Sequence, residues 1–167
     1  MNDATPRRVL FLCTGNSARS ILAEAILDRL GGGRFAALSA GSHPKGTVHP
    51  LALAVLAARG HETAGLRSKS WDEFAGAGAA PIDIVITVCD NAAGEVCPVW
   101  PGHPVTAHWG LPDPAAVEGP ETDRRAAFET TYDALEQRIA ALVALPDDIL
   151  ESPELITRLR ALGAATS

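Results

Sequence analysis

The chain has 167 residues, 47% of them hydrophobic and 20% charged, which suits one domain with its own apolar core, without disulfide or metal staples. A formal net charge of −6 argues against a broad surface for nucleic acid or anionic membrane, so an anionic substrate has to be drawn by a local positive site. No apolar run approaches the ~20 residues of a membrane span, and MNDATPRR lacks the apolar core of a signal peptide. The expectation is therefore a cytoplasmic protein, with neither nucleic acid nor membrane as partner. In such a setting three cysteines are more readily catalytic or metal-bound than structural.

The first element is the most informative. Residues 8–20, RVLFLCTGNSARS, read as a short strand, a loop and the start of a helix. Val9, Leu10, Phe11 and Leu12 form a continuous apolar run, as a parallel strand buried on both faces would. Ile21, Leu22, Ala25, Ile26 and Leu30 then recur at helical spacing over 18–30, and Gly31, Gly32 and Gly33 end that helix. Between them lie Cys13, Thr14, Gly15, Asn16, Ser17, Ala18, Arg19 and Ser20. Backbone N–H groups at a helix start, on a loop that a glycine lets curl, form a concave cradle for an anion, and Arg19 adds a planar fork. The same positive field favours thiolate over thiol, so Cys13 is expected to be a nucleophile with a depressed pKa, aimed at a bound tetrahedral oxyanion. The loop is not a nucleotide P-loop, because G-x-x-x-x-G-K-[ST] is missing.

A second strand is expected over 34–40, followed by the loop GSHPKGTVHP with His43 and His49, read as ordinary loop residues near the rim of the site. A helix follows over 50–59, with Pro50 in its first turn and Gly60 at its end. The stretch 61–80 gives little beyond a short helix at Trp71–Phe74. Residues 82–88, IDIVITV, are β-branched and read as the third strand, ending at Cys89. CDNAAGEVCP carries turn residues without a period, and Cys97 lies in it. Val105–His108 is a brief fourth strand, followed by WGLPDPAAVEG with Asp113 between two prolines. Phe128, Tyr132, Leu135, Ile139 and Leu142 mark one apolar face of a long helix that starts near 120 or 121 and ends by Pro146. A further short helix is expected over 153–162. The alternation of strands and helices predicts an α/β three-layer sandwich on a four-stranded parallel sheet; a flavodoxin-like order 2-1-3-4 is the expectation chosen for it, consistent with the family resemblance given below. One domain is expected, with its core over 8–145 and a helical appendage over 146–167.

The cysteine-to-arginine loop resembles the phosphate-binding loop of low-molecular-weight tyrosine phosphatases and of the arsenate reductases that share their fold, over about residues 8–145. The resemblance implies that Cys13 attacks, that Arg19 and the loop amides hold the oxyanion, that Asn16 keeps the loop in shape and that Ser20 hydrogen-bonds the thiolate. It also implies that Asp113, in an Asp-Pro pair, is the general acid that protonates the leaving oxygen. AHWGLPDP looks like the same region of thioredoxin-coupled arsenate reductases. Ala115 and Ala116 stand where the phosphatases carry aromatic residues that wall an aryl ring.

In the order 2-1-3-4 the first and third strands are neighbours, about 4.8 Å apart, which puts Cys13 and Cys89 at adjacent strand ends, within range of a disulfide after a modest loop movement. Cys97 could then attack Cys89 and carry the disulfide outward to a thiol donor such as thioredoxin, glutaredoxin or a small thiol. That is the expected function: arsenate reduced to arsenite through a Cys13 adduct and a Cys89/Cys97 disulfide, with no bound cofactor or metal, and phosphate or sulfate as substrate analogues. The alternatives are a low-molecular-weight tyrosine phosphatase and an oxyanion-binding module without turnover. Zinc held by three cysteines with His103 or His108 fits poorly, for want of a C-x-x-C or H-x-x-x-H pair. Some relatives hold potassium on Asn, Glu, Ser and Asp. Asn16, Glu24 and Ser39 match, but the aspartate position falls near Ser70, and no such ion is expected.

Overall fold

Val9, Leu10, Phe11 and Leu12 expose no surface, as a strand covered on both faces requires. In the computed structural model, which describes residues 6–75, 78–89, 102 and 104–164, they belong to β1 (Arg7–Leu12). Beside it run β2 (Phe35–Ala40) and β3 (Ile84–Thr87), with β4 (Val105–His108) beyond β3. All pairings are parallel and the order is β2-β1-β3-β4, as expected. Residues 82–88 were expected to form the third strand, whereas β3 is shorter. The pairing nevertheless outlasts it at both ends, since Asp83 N–H donates to Arg8 O and Val88 N–H to Leu12 O, each at 2.9 Å.

The helices around the sheet are α1 (Arg19–Leu30), α2 (Pro50–Ala58), α3 (Glu121–Val143), α4 (Asp147–Leu150) and α5 (Glu154–Ala164). The predicted face of α3 is the one it buries: Phe128, Tyr132, Leu135, Ile139 and Leu142. That face packs on α1 and α2, while α5 lies against β4 and α3. The sequence reading missed α4. Pro146 ends the long helix but also starts the next turn, accepting hydrogen bonds from Ile149 and Leu150, with Asp147 and Asp148 favourably placed in the first turn. Arg34 ties the bend down, donating to Val143 O at 2.7 Å, to Leu145 O at 2.9 Å and to Asp147 Oδ1 at 3.0 Å.

Because every strand runs the same way, the residues after β1, β2, β3 and β4 gather at one edge of the sheet, where open α/β sheets bind ligands. Cys13 follows β1, Cys89 follows β3, and the 109–113 segment follows β4.

Candidate active site

The loop between β1 and α1 is shaped from beneath by Asn16. Its backbone is left-handed, with φ of 43°, and its side chain is fully buried. Asn16 Nδ2 donates to Ser20 Oγ at 2.8 Å and to Ser39 Oγ at 3.1 Å, while Oδ1 accepts from Lys69 N–H at 2.8 Å. The left-handed turn falls on Asn16 and not on the glycine expected to let the loop curl, since the φ of Gly15 is not positive. A Cβ at Gly15 would come within 3.2 Å of the flexible Lys45 side chain, which would have to give by a few tenths of an ångström. Asn tolerates the left-handed region and can hydrogen-bond in three directions at once, which a glycine could not.

A cavity of about 200 Å³ opens over this loop. Cys13, Thr14, Gly15, Asn16, Ser17, Ala18 and Arg19 line it, together with Cys89, Asp113 and Ala115. Ser20 lies beneath, its Oγ accepting from Asn16. A larger open cleft of about 470 Å³ lies at the far end of α1, beside Asp28, His61 and Glu62. It is lined by no cysteine, and its three carboxylates outnumber the one arginine there, so the thiol chemistry belongs to the smaller cavity.

Arg19, the first residue of α1, is held from the β4 side. Its Nη1 donates to Leu111 O at 2.8 Å, and Nη2 lies 3.8 Å from Asp113 Oδ2. Its Nε is buried and has no acceptor among the described residues. Asp113 also caps a 3₁₀ turn at Pro114–Ala116, accepting from Ala115 N–H at 2.9 Å. Its two oxygens are thereby divided between a backbone amide and the arginine.

Cys13 and Cys89 are both buried free thiols that line the same cavity. Cys89 Sγ also accepts from Thr14 N–H at 3.4 Å, so the second thiol sits within the anion cradle. This reverses one expectation. The Cys89 thiol, followed by burial, raises the pKa of Cys13 above its ordinary value, against the opposing pull of Arg19 and the Gly15 amide. Two sulfurs in one pocket cannot both ionise cheaply. The expectation of a depressed pKa had counted the loop and the arginine without the neighbouring sulfur. Cys97 lies outside the described residues.

Several supports carried no legible signal. Ser68 Oγ donates to Gly15 O and accepts from Gly46 N–H, both at 3.1 Å. Lys69 is almost fully buried, its ammonium 2.8 Å from Arg67 O, 3.0 Å from Ser39 O and 3.6 Å from Glu24 Oε1. Burial lowers its pKa, while Glu24 pulls the other way. A tethered cation thus stands among Glu24 and Ser39, the residues matched to the potassium ligands of some relatives. His43, read as an ordinary loop residue, lines the cavity with Lys45. His49 is the N-cap of α2, its Nδ1 accepting from Leu51 N–H at 3.1 Å, and its own N–H donates to Ser17 O at 2.9 Å. Among the described residues no three His, Cys, Asp or Glu side chains gather as a metal site would need. Cys97 and His103, on which the zinc alternative depended, lie outside them.

Residues 8–152 match the family model described as low molecular weight phosphotyrosine protein phosphatase. The chain belongs to that family. An arsenate reductase of Halalkalibacterium halodurans is 35% identical over 131 residues, covering 78% of this chain and 91% of the relative. Among solved structures, an arsenate reductase from Archaeoglobus fulgidus is 27% identical, with a TM-score of 0.64 over 82% of this chain and 99% of that one. A Corynebacterium glutamicum thioredoxin-dependent arsenate reductase is also 27% identical, with a TM-score of 0.60. The match covers 84% of this chain, which spans 62% of that longer one. In this family member the loop cysteine and arginine follow β1 at the carboxyl end of the parallel sheet. Among its described residues no helix is long and apolar enough to cross a membrane.

Proposed function

We propose that this chain is an arsenate reductase that works through its own thiols. The observation that carries the reading is the second thiol: Cys89 lines the same cavity as Cys13, its sulfur accepting from Thr14 N–H inside the oxyanion cradle. A hydrolytic phosphatase has no use for that sulfur, whereas arsenate reduction needs two electrons. Cys13 thiolate attacks arsenic, forming an S–As bond. Asp113 gives a proton to the departing oxygen, which leaves as water, while Arg19 and the loop amides hold the remaining oxygens. Asn16 keeps the loop in register, and the Ser20 hydroxyl donates to the Cys13 thiolate.

Cys89 thiolate then attacks Cys13 Sγ. The S–S bond forms as the S–As bond breaks, its electron pair stays on arsenic, and arsenite leaves as As(III). Cys97 next attacks Cys89 Sγ and releases Cys13 as thiolate, leaving a Cys89–Cys97 disulfide. An external dithiol of the thioredoxin kind, or a glutaredoxin or small-thiol system, reduces that disulfide by the same exchange chemistry. The names of the relatives support this donor class, and a reducing cytoplasmic setting is part of the same reading. No bound cofactor or metal takes part.

The test is a single turnover of fully reduced protein with arsenate and no external reductant. One arsenite released per two thiols lost, with a mapped Cys89–Cys97 disulfide, is the expected result. No arsenite and no thiol loss, with phenyl phosphate turned over instead, would establish the phosphatase alternative.

A further inference from the structure

The family match stops at residue 152, just before α5. This helix nevertheless makes an intimate contact close to the proposed chemistry. The Trp109 side chain is fully buried, and its indole N–H donates to Leu159 O of α5 at 2.9 Å. Gly163 brings the helix closer still, for a Cβ there would lie 2.4 Å from His108 O and 2.6 Å from Trp109 Cδ1. Leu155 and Leu159 complete the buried face. His108 and Trp109 lead directly into the site. Trp109 N–H donates to Thr87 O at 2.7 Å and Leu111 N–H to Val88 O at 3.3 Å, so the segment extends the β3 ladder beyond β4. Leu111 O then holds Arg19, and Asp113 follows two residues later.

We propose that α5 is a positioning element for the reaction. By seating Trp109 and closing on His108 through Gly163, it fixes the segment from which Asp113 meets Arg19 and delivers its proton. This rests on the reading of Asp113 as the general acid. Trp109 and Gly163 act through that carboxylate and touch neither substrate nor the reacting sulfur. A helix that served stability alone would affect folding without any dependence on Asp113.

The experiment is a double-mutant cycle between Gly163→Ala and Asp113→Asn, read as the single-turnover rate of arsenite release at a temperature where all variants are folded. Gly163→Ala is expected to slow release by roughly tenfold to a hundredfold when Asp113 is present, the scale expected for a misplacement approaching 1 Å. In the Asp113→Asn background it should slow release less than about twofold, since the group it positions is already gone. Equal losses in both backgrounds, or no loss in either, would overturn the proposal. Trp109→Phe, which removes the indole N–H together with part of the bicyclic ring, gives the same cycle if Gly163→Ala does not fold. Phenol release from phenyl phosphate draws on the same proton and is measured in parallel. Failure of arsenite release in the parent protein, with phenol release intact, counts against arsenate reduction and leaves the cycle readable.

Discussion

Gly41 gives the sharpest test of how the cradle is built. Its φ is not in the left-handed region, so alanine meets no backbone objection there, and the cost of Gly41→Ala is one of space. An added Cβ would lie 2.4 Å from Cys13 O and 2.4 Å from Thr14 O. Both are backbone oxygens of the loop, and neither can swing aside as a long side chain would. Real Cβ contacts essentially stop at 3.0 Å, so β2 and the loop must part by more than half an ångström. Overpacking of this kind costs about 1–3 kcal/mol. For a chain of this size that is a fall in Tm of about 2–12 °C. The loop that moves is the one bearing the nucleophile, so the first chemical step should also slow, by roughly tenfold or more. Thermal unfolding and single-turnover arsenite release measure the two effects. Gly33→Ala is the control, with ordinary φ and nothing within 4 Å of its Cβ, and should change neither. A Gly41→Ala protein with parental Tm and rate would refute the view that close backbone contact with β2 sets the loop.

Cys89→Ala removes the largest influence raising the Cys13 pKa. Alkylation of Cys13 by iodoacetamide, followed by mass spectrometry against pH, should therefore pass its midpoint at lower pH in the variant, and an unchanged or raised midpoint would deny that influence. Asp113→Asn is expected to lower the rate of the first step by roughly 10²- to 10⁴-fold, while isothermal titration with inorganic phosphate shows binding retained. Lys69→Met leaves Glu24 and Ser39 without their ammonium, and loss of one partner of a buried pair costs about 3–5 kcal/mol. Chemical denaturation should register it as a lower midpoint.

Much of this architecture could be read directly because its signals are local. The apolar run at Val9 to Leu12, the helical spacing after Arg19 and the face Phe128 to Leu142 each declare their element within a stretch of fifteen residues or fewer. The loop was legible for the same reason, since cysteine, turn residues and arginine sit together in the chain. Its supports were not. Ser68 and Lys69 lie in a stretch with no period, and they matter only because a parallel bridge of Gly41 with Ser70 folds that stretch beneath Asn16. Nor does an amphipathic pattern near the end of the chain say that Leu159 O will meet Trp109. The raised pKa of Cys13 was hidden likewise, because it depends on a sulfur 76 positions along the chain.

The distribution of hydrogen bonds around the two thiols separates the steps proposed for them. Val88 is fully buried and its N–H is held by Leu12 O, so the chain up to β3 and one residue beyond is fixed to the strand that carries Cys13. The first proposed exchange, Cys89 onto Cys13, joins two thiols of one cavity and asks for little rearrangement. The second is different. Cys89 is 3% exposed and its sulfur accepts from Thr14 N–H, so it must leave the cradle before a donor outside can reach its disulfide. In the proposed relay, departure of arsenite frees the amides and Arg19 to stabilise Cys13 as thiolate. That stabilisation would make Cys13 the better leaving group and run the attack by Cys97 outward. On this proposal the cradle that binds the substrate would also set the direction of the thiol relay.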